Sequence, residues 1–225
     1  MFLYTLIPVC AAIGGAWYAA SWPPGPKLTA AIQHFAAGLV FAAAAGEILP
    51  DATHAHLLLP VVIGGGLGIL AMSAIRWAGA RMTGPFGLIA TIAVDILVDG
   101  LVLGIAFAAG ARQGLVLLVA LVVEVMFLGL SVSTAFRAGT SRPIVVGTTA
   151  ALSVLLPLGA LAGAAIGGLP PPVMAGFFAF ALIALLYLVT EELLVEAHER
   201  PDNPLITAMF FVGFLLLIVL EEVVA

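Results

Sequence analysis

The chain has 225 residues, of which 64% are hydrophobic and only 8% are charged, and its mean hydropathy is +1.27. A soluble domain of this size could not bury so much apolar surface, so the composition excludes that class and indicates an integral membrane protein. Nucleic-acid binding is not expected of a chain with seven Lys and Arg residues and a net charge of −5.

Helix-length apolar runs are separated by short polar breaks or breaks rich in Pro and Gly, which predicts an all-α integral membrane protein with eight transmembrane spans. The first run has no basic region before it, so it is interpreted as a span and not as a signal peptide. One transmembrane domain of residues 1–225 is expected. The predicted spans are 2–21, 29–50, 57–77, 86–109, 114–136, 143–168, 172–197 and 204–223.

The basic residues orient this bundle, because loops rich in Lys and Arg stay on the cytoplasmic side. Six of the seven fall in the loops after spans 1, 3, 5 and 7, and only Arg112 falls elsewhere. The pattern predicts a multi-pass protein of the cell (inner) membrane with both termini outside the cytoplasm. The six are Lys27, Arg76, Arg81, Arg137, Arg142 and Arg200.

An internal repeat accompanies the spans. Span 2 ends in "GEILPDATH" (46–54) and span 7 ends in "EELLVEAH" (191–198), so Glu47 and Asp51 match Glu192 and Glu196. Spans 2 and 7 cross in opposite directions. The match therefore predicts that spans 1–3 and 6–8 are inverted halves around spans 4 and 5, an arrangement common in secondary transporters.

Three acids fall near the middle of spans 4 and 5. Asp95 and Asp99 are four residues apart and share one face of a helix, and Glu124 lies halfway along span 5. Ionisable groups inside a membrane are costly and usually mark ion pathways or buried pairs. The three carboxylates predict an oxygen-rich cation site, and the alternative is a set of protonated acids hydrogen-bonded within the bundle.

Two further groups of acids lie near the membrane surfaces. On the outer side, Glu47 and Asp51 predict an entry path, and the loop pair His54 and His56 either captures metal or is solvated. Glu221 and Glu222, at the outer end of span 8, are interpreted as solvated.

The inner group predicts an exit path. Glu192 and Glu196 share a face with Glu199, which is itself interpreted as solvated. His34 at the start of span 2 either joins the path or packs within the bundle. The residues assigned to the exit are Glu191, Glu192 and His198.

Over nearly its whole length the chain resembles the ZIP (Zrt/Irt-like) family of divalent metal transporters, as a divergent bacterial-type member. "FAAGLVFAAAAGEILPDA" (35–52) is similar to the second ZIP helix, and "TEELLVEAHE" (190–199) to the seventh. The family motif His-Asn-x-Pro-Glu-Gly matches residues 95–100, and Gln-Asn-Ile-Pro-Glu-Gly matches residues 124–129.

The chain departs from these motifs at several positions. Asp95 replaces the histidine ligand, Asp99 replaces the longer glutamate, and Leu128 replaces the acid of span 5. Both prolines are absent, as Val98 and Phe127. The resemblance implies one metal position formed by Asp95, Asp99 and Glu124. Zinc is the substrate that the family implies, whereas the carboxylates move the preference towards Mn²⁺, Fe²⁺ or Mg²⁺.

The resulting expectation is a permease that moves a divalent metal ion towards the cytoplasm by alternating access. No resident cofactor and no enzymatic activity are expected, because no hydrolase or metalloprotease motif is present. Membrane lipid and the metal ion are the expected partners, and the small-residue faces of spans 4–6 fit internal packing or a homodimer equally well. The alternatives are a proton- or monovalent-cation-coupled carrier and a non-transporting relative.

Overall fold

The structure is a computed structural model, and it describes residues 2–54, 57–81, 85–136, 140–199 and 203–224. These residues are almost entirely helical and include no strand, and eight helices are long and apolar enough to cross a membrane. The predicted all-α, eight-helix class is therefore confirmed. The helices are α1 (Leu6–Ser21, after a 3-10 turn at Phe2–Thr5), α2 (Pro26–Ala43, Ala44–Ile48 and Leu49–His54), α3 (Leu58–Arg81), α4 (Pro85–Ala109), α5 (Ala111–Ala135), α6 (Arg142–Ser153 and Leu155–Ile166), α7 (Pro171–Leu188, Val189–Leu193 and Leu194–His198) and α8 (Pro204–Val224).

Two helices extend beyond their predicted ends. α2 continues through Pro50 as far as His54, and α3 continues past Arg76 to Arg81. Pro50 lies two residues after the π-helical turn Ala44–Ile48, where the hydrogen-bond register changes and a missing backbone N–H is tolerated. Asp51 consequently lies on a helix and not in a loop.

α6 is interrupted at Val154, between Ser153 and Leu155. Pro157 is the cause, because a proline cannot donate to the carbonyl four residues earlier and its ring crowds that carbonyl, here the one of Ser153. The two halves of α6 nevertheless continue as one span.

The packing of the helices follows a two-fold pattern. The most extensive contacts join α1 to α5 and α4 to α6, and, in a second group, α2 to α8 and α3 to α7. α4 also packs on α5, and α2 crosses α7. Exchanging α1 with α6, α2 with α7, α3 with α8 and α4 with α5 reproduces this set of pairs.

Glycines at the helix crossings show the same relation residue by residue. A Cβ atom at Gly15 of α1 would collide with the carbonyl oxygen of Met126 in α5, and one at Gly159 of α6 would collide with that of Leu97 in α4. In the exchange of α1 with α6 and of α4 with α5, Gly15 corresponds to Gly159, 144 positions later. Met126 likewise corresponds to Leu97, 29 positions earlier. Both crossings therefore use equivalent residues, and the absence of a side chain lets the backbones touch.

The outer pairs repeat as well. Gly213 of α8 lies against the carbonyl group of Phe35 in α2, and Gly68 of α3 lies against that of Phe180 in α7. In each pair of equivalents the residue numbers differ by 145. The predicted inverted repeat of α1–α3 and α6–α8 around α4 and α5 thus appears in the packing itself.

The interior of the bundle is formed by α2, α4 and α5, whereas α3 and α8 lie at the periphery. Of the spanning segment of α5, 72% is buried inside the protein, against 17% for those of α3 and α8. The exposed faces of the peripheral helices are apolar, as a surface in contact with lipid requires. Polar groups buried in the three central helices therefore lie far from bulk water.

Candidate functional site

Three carboxylic side chains are buried where α4 packs on α5. Asp95 and Asp99 are each 1% exposed and Glu124 is fully buried. Oδ1 of Asp95 and both oxygens of Asp99 and of Glu124 have no hydrogen-bond partner among the described residues. Because an unpaired buried carboxylate is very costly, each of these groups needs a bound cation or a proton.

The inverted repeat relates two of these acids to each other. Gly129 of α5 is equivalent to Gly100 of α4, since they lie against the carbonyls of Ala12 and Leu156 at matching crossings. The same register of 29 residues makes Glu124 equivalent to Asp95. Asp99 has an apolar equivalent, Leu128, so it breaks the symmetry of the central group.

Glu192 of α7 joins the central group. Its carboxyl group lies beside that of Asp95, and its charge acts on Asp95, Asp99 and Glu124. Glu192 lies in the π-helical turn Val189–Leu193, which widens the helix and turns its side chains out of α-helical register. Sequence reasoning assigned Glu192 to the exit path alone, and the structure adds it to the centre.

The four carboxyl groups are neighbours but do not form a coordination shell. Among the described residues, no three His, Cys, Asp or Glu side chains come together closely enough to hold a metal ion. Carboxylates this close to one another repel, and a bound cation or protons would relieve the repulsion.

Basic side chains stay near the ends of the helices throughout the described part of the chain. Those described are Lys27, Arg76, Arg81, Arg112 and Arg142. The one whose charge reaches Glu192 is Arg76. None is placed to neutralise Asp95, Asp99 or Glu124 directly, as the hydrogen-bond pattern of these acids shows.

The bundle side that carries both termini is called here the termini face, and the other side the opposite face. At the opposite face Glu191 is exposed and forms an ion pair with Arg76 of α3. Glu192, the next residue in the chain, is half-buried. The structure thus brings Glu192, and not Glu191, to the central acids.

Two polar contacts join α2 to α7 at the opposite face. Gln33 Nε2 donates to Glu196 Oε2 at 2.8 Å. The ring of His34, which is fully buried, lies 5.1 Å from that of His198 between centroids. The charge of Glu196 also acts on Asp95, so a line of polar groups runs from the centre to this face.

A second polar cluster lies at the termini face. Glu47 is 6% exposed, and the charges of Arg112 and Asp51 act on it. Glu221 was expected to be solvated, but its Oε1 atom is buried and has no hydrogen-bond partner among the described residues. It packs on the π-helical turn of α2, so this expectation was wrong, whereas Glu222 is exposed.

Several predicted residues cannot be placed. His56, Arg137, Arg200 and the side chain of His54 lie outside the described residues. The predicted capture of metal by the histidine pair therefore stays a prediction. The sequence did not assign three residues to the polar clusters in which the structure places them. They are Gln33, which contacts Glu196, and Arg112 and Glu221, which lie near Glu47 and Gly46. Only the two charged residues gave a signal, since each stands at the end of an apolar run.

Comparison with known proteins adds no relative to this picture. No protein-family model matches the chain, and no curated protein matches it. The resemblance to ZIP transporters therefore rests on the residues and topology described above.

Proposed function

We propose that the chain is a ZIP-like permease that moves a divalent metal ion across the membrane by alternating access. One observation carries the proposal: Asp95, Asp99 and Glu124 present five buried oxygens without hydrogen-bond partners and without a basic residue beside them. An all-oxygen set of this kind suits hard cations such as Mn²⁺ or Mg²⁺ and also accepts Zn²⁺ or Fe²⁺. The inverted repeat supplies the architecture that alternating access uses.

The proposed path has three stations. Glu47 and Asp51 gather the ion at the termini face, Asp95, Asp99 and Glu124 bind it at the centre, and the inner residues release it. Glu192 takes part in both of the last two stations because its carboxyl group contacts Asp95. The residues of release are Glu191, Glu192 and His198.

Uptake into liposomes tests this function. The protein is reconstituted into vesicles that hold a metal-sensitive indicator, and Zn²⁺, Mn²⁺, Fe²⁺, Cd²⁺ and Mg²⁺ are added in turn. Asp95→Asn and Asp99→Asn should each lower the initial rate by at least about tenfold, since each removes one charged ligand from a buried site. Glu199→Gln, which changes an exposed acid, is the matched control and should keep the rate of the unchanged protein. Undiminished uptake in both aspartate variants would remove the central site from the proposal.

A second candidate function is a carrier of protons or of a monovalent cation on the same scaffold. The proximity of Asp95 and Glu192 favours it, because two neighbouring buried carboxyl groups on different helices can hold a proton between them. This carrier would acidify the vesicles or move Na⁺ without taking up any of the five divalent ions. A third candidate is a non-transporting relative. If it is correct, vesicles that contain the folded protein should take up neither divalent ions nor protons or Na⁺.

Orientation belongs to the same proposal. Both termini are proposed to lie outside the cytoplasm in the inner membrane, because of the distribution of Lys and Arg. A reporter domain that is active only outside the cytoplasm should be active when it is fused to the first or to the last residue. A reporter that is active only in the cytoplasm should be inactive at both positions. Activity of the cytoplasmic reporter at both ends would show that the protein lies in the opposite orientation. The proposed direction of the path would then be reversed, whereas the description of the helix bundle would not change.

A further inference from the structure

An apolar cleft lies between α3 and α4 near the opposite face. Its volume is about 150 Å³ and its walls are mostly small and apolar residues. The lining consists of Ile75, Ala78 and Gly79 on α3 and of Ala90, Thr91 and Val94 on α4. The hydroxyl group of Thr91 donates to the backbone carbonyl oxygen of Gly87 at 3.2 Å, so this lining leaves no side-chain donor for water. In a membrane, a space of this kind takes up hydrocarbon.

The cleft follows from the way in which the two helices pack. α3 has its main contact with α7, and α4 has its main contact with α6, so α3 and α4 share little surface. They approach each other at Gly79, where a Cβ atom would lie 2.7 Å from Thr91 Oγ1. Ala78, beside this contact, is exposed, so the cleft opens onto the surface that faces lipid. An acyl chain can therefore enter it from the membrane.

A basic side chain stands at the end of the cleft that is nearest the membrane surface. Arg81 is the last residue of α3, three positions after Ala78, so it lies about 4.5 Å further along the helix axis. Its guanidinium carbon lies 3.5 Å from the centroid of the Trp77 ring, a cation–π contact. Both side chains are exposed. The ring holds the flat face of the guanidinium and leaves the N–H groups at its edge to meet an anion.

The charges around the cleft favour an anionic partner. Residues 71–94 contain two basic side chains, Arg76 and Arg81, and no acidic one. Arg76 forms an ion pair with Glu191 of α7, whereas Arg81 forms none with any acid that the structure describes. Basic pockets between transmembrane helices are a known way of binding anionic headgroups, and tryptophan favours the same depth of the membrane.

We propose that Arg81, Trp77 and the cleft between α3 and α4 form a binding site for one anionic phospholipid. The phosphate group accepts hydrogen bonds from the edge of the Arg81 guanidinium, and part of an acyl chain lies in the cleft. A soluble anion would leave the cleft unused, and a protein segment would be too large for it. The site does not rest on the proposed transport of a metal ion.

Quenching of tryptophan fluorescence by brominated lipid tests the site, because Trp77 lies within it. The protein has three tryptophans, and Trp17→Phe/Trp22→Phe, at two exposed positions, leaves Trp77 as the only one. This protein is placed in phosphatidylcholine vesicles that contain brominated phosphatidylglycerol or, for comparison, brominated phosphatidylcholine. The anionic lipid should bind beside Trp77 about fivefold more tightly, the usual effect of one basic side chain at a membrane surface.

Matched variants separate the two parts of the site. Arg81→Gln should reduce the preference for the anionic lipid to within about twofold, whereas Arg142→Gln, at an exposed arginine of the same face, should keep it. Ala78→Leu fills the cleft and should lower the preference as well. Ala74→Leu, at an exposed alanine of α3 outside the lining, should not.

Three results would overturn the proposal. Equal preferences in the Arg81→Gln and Arg142→Gln proteins would assign the attraction to the general charge of this face. Equal preferences in the Ala78→Leu and Ala74→Leu proteins would remove the acyl chain from the cleft. Excess inorganic phosphate should leave the quenching unchanged, and release of the brominated lipid by phosphate would show that Arg81 recognises the anion alone.

Discussion

Gly14 and Gly15 are neighbours in α1, yet a methyl group would meet very different surroundings at the two positions. At residue 15 it would collide with the carbonyl oxygen of Met126, whereas at residue 14 nothing lies within 4 Å. In a membrane the lipid is as apolar as the helices, so close backbone contact supplies much of the attraction between helices. One of the two glycines is therefore essential to packing and the other is not.

Gly15→Ala should lower the free energy of unfolding by about 1–3 kcal/mol, the usual cost of forcing an extra methyl group into a tight contact. Gly14→Ala should leave stability unchanged or raise it by up to about 1 kcal/mol, since alanine favours the helix more than glycine does. Thermal unfolding of both proteins in detergent micelles measures the difference. Similar melting temperatures for the two variants would contradict the close crossing of α1 and α5.

At the level of elements, α2 and α7 are the helices that connect the centre to the two faces. Each is interrupted by a five-residue π-helical turn, Ala44–Ile48 and Val189–Leu193, at equivalent positions 145 residues apart. The first turn carries Glu47, and the second carries its equivalent Glu192 together with Glu191. π-Helical turns are frequent at functional sites because they present side chains that a regular helix would turn away.

The contact of Gln33 with Glu196 should hold the crossing of α2 and α7 closed at the opposite face. Gln33→Ala is expected to lower the free energy of unfolding by about 1.5–3 kcal/mol, as for a hydrogen bond to a charged group. Glu196→Gln keeps an acceptor oxygen and should cost less than half as much. Chemical unfolding in micelles compares the two, and an unaffected Gln33→Ala protein would show that the crossing does not depend on this bond.

Sequence reasoning reached the elements more completely than the site. Long apolar runs predict spans because only a helix satisfies its own backbone in lipid, and the spacing of Asp95 and Asp99 predicts a shared face. The continuation of α2 through Pro50 depends on a π-helical turn, which leaves no mark in the composition. The position of Glu221 depends on Gly46, a residue 175 positions away, and no local pattern reports such a contact.

On the scale of the whole molecule, each helix finds its main partner in the other half of the chain. α1 packs on α5, α2 on α8, α3 on α7 and α4 on α6, whereas consecutive helices of the first half share little surface. The break at Gly110 separates the two halves. Neither half therefore contains a core of its own.

Two separate chains, residues 1–110 and 111–225, should assemble when they are produced together. Each alone should fail to give a compact protein, because every extensive helix contact would be missing its partner. Affinity purification of one half and detection of the other measures the assembly. A first half that is monodisperse and resists proteolysis by itself would show that its helices pack without the second.

The same arrangement determines the order in which the protein can be built. α1 enters the membrane before the other helices described, and its partner α5 begins at Ala111, about 100 residues later. At about 5–20 residues per second, α1 waits roughly 5–20 seconds for it. During that interval the acids of α2 and α4 are in the membrane before α7 has been made. Assembly therefore takes place after synthesis is almost complete, and factors that shelter polar helices during insertion would act on this protein at that stage.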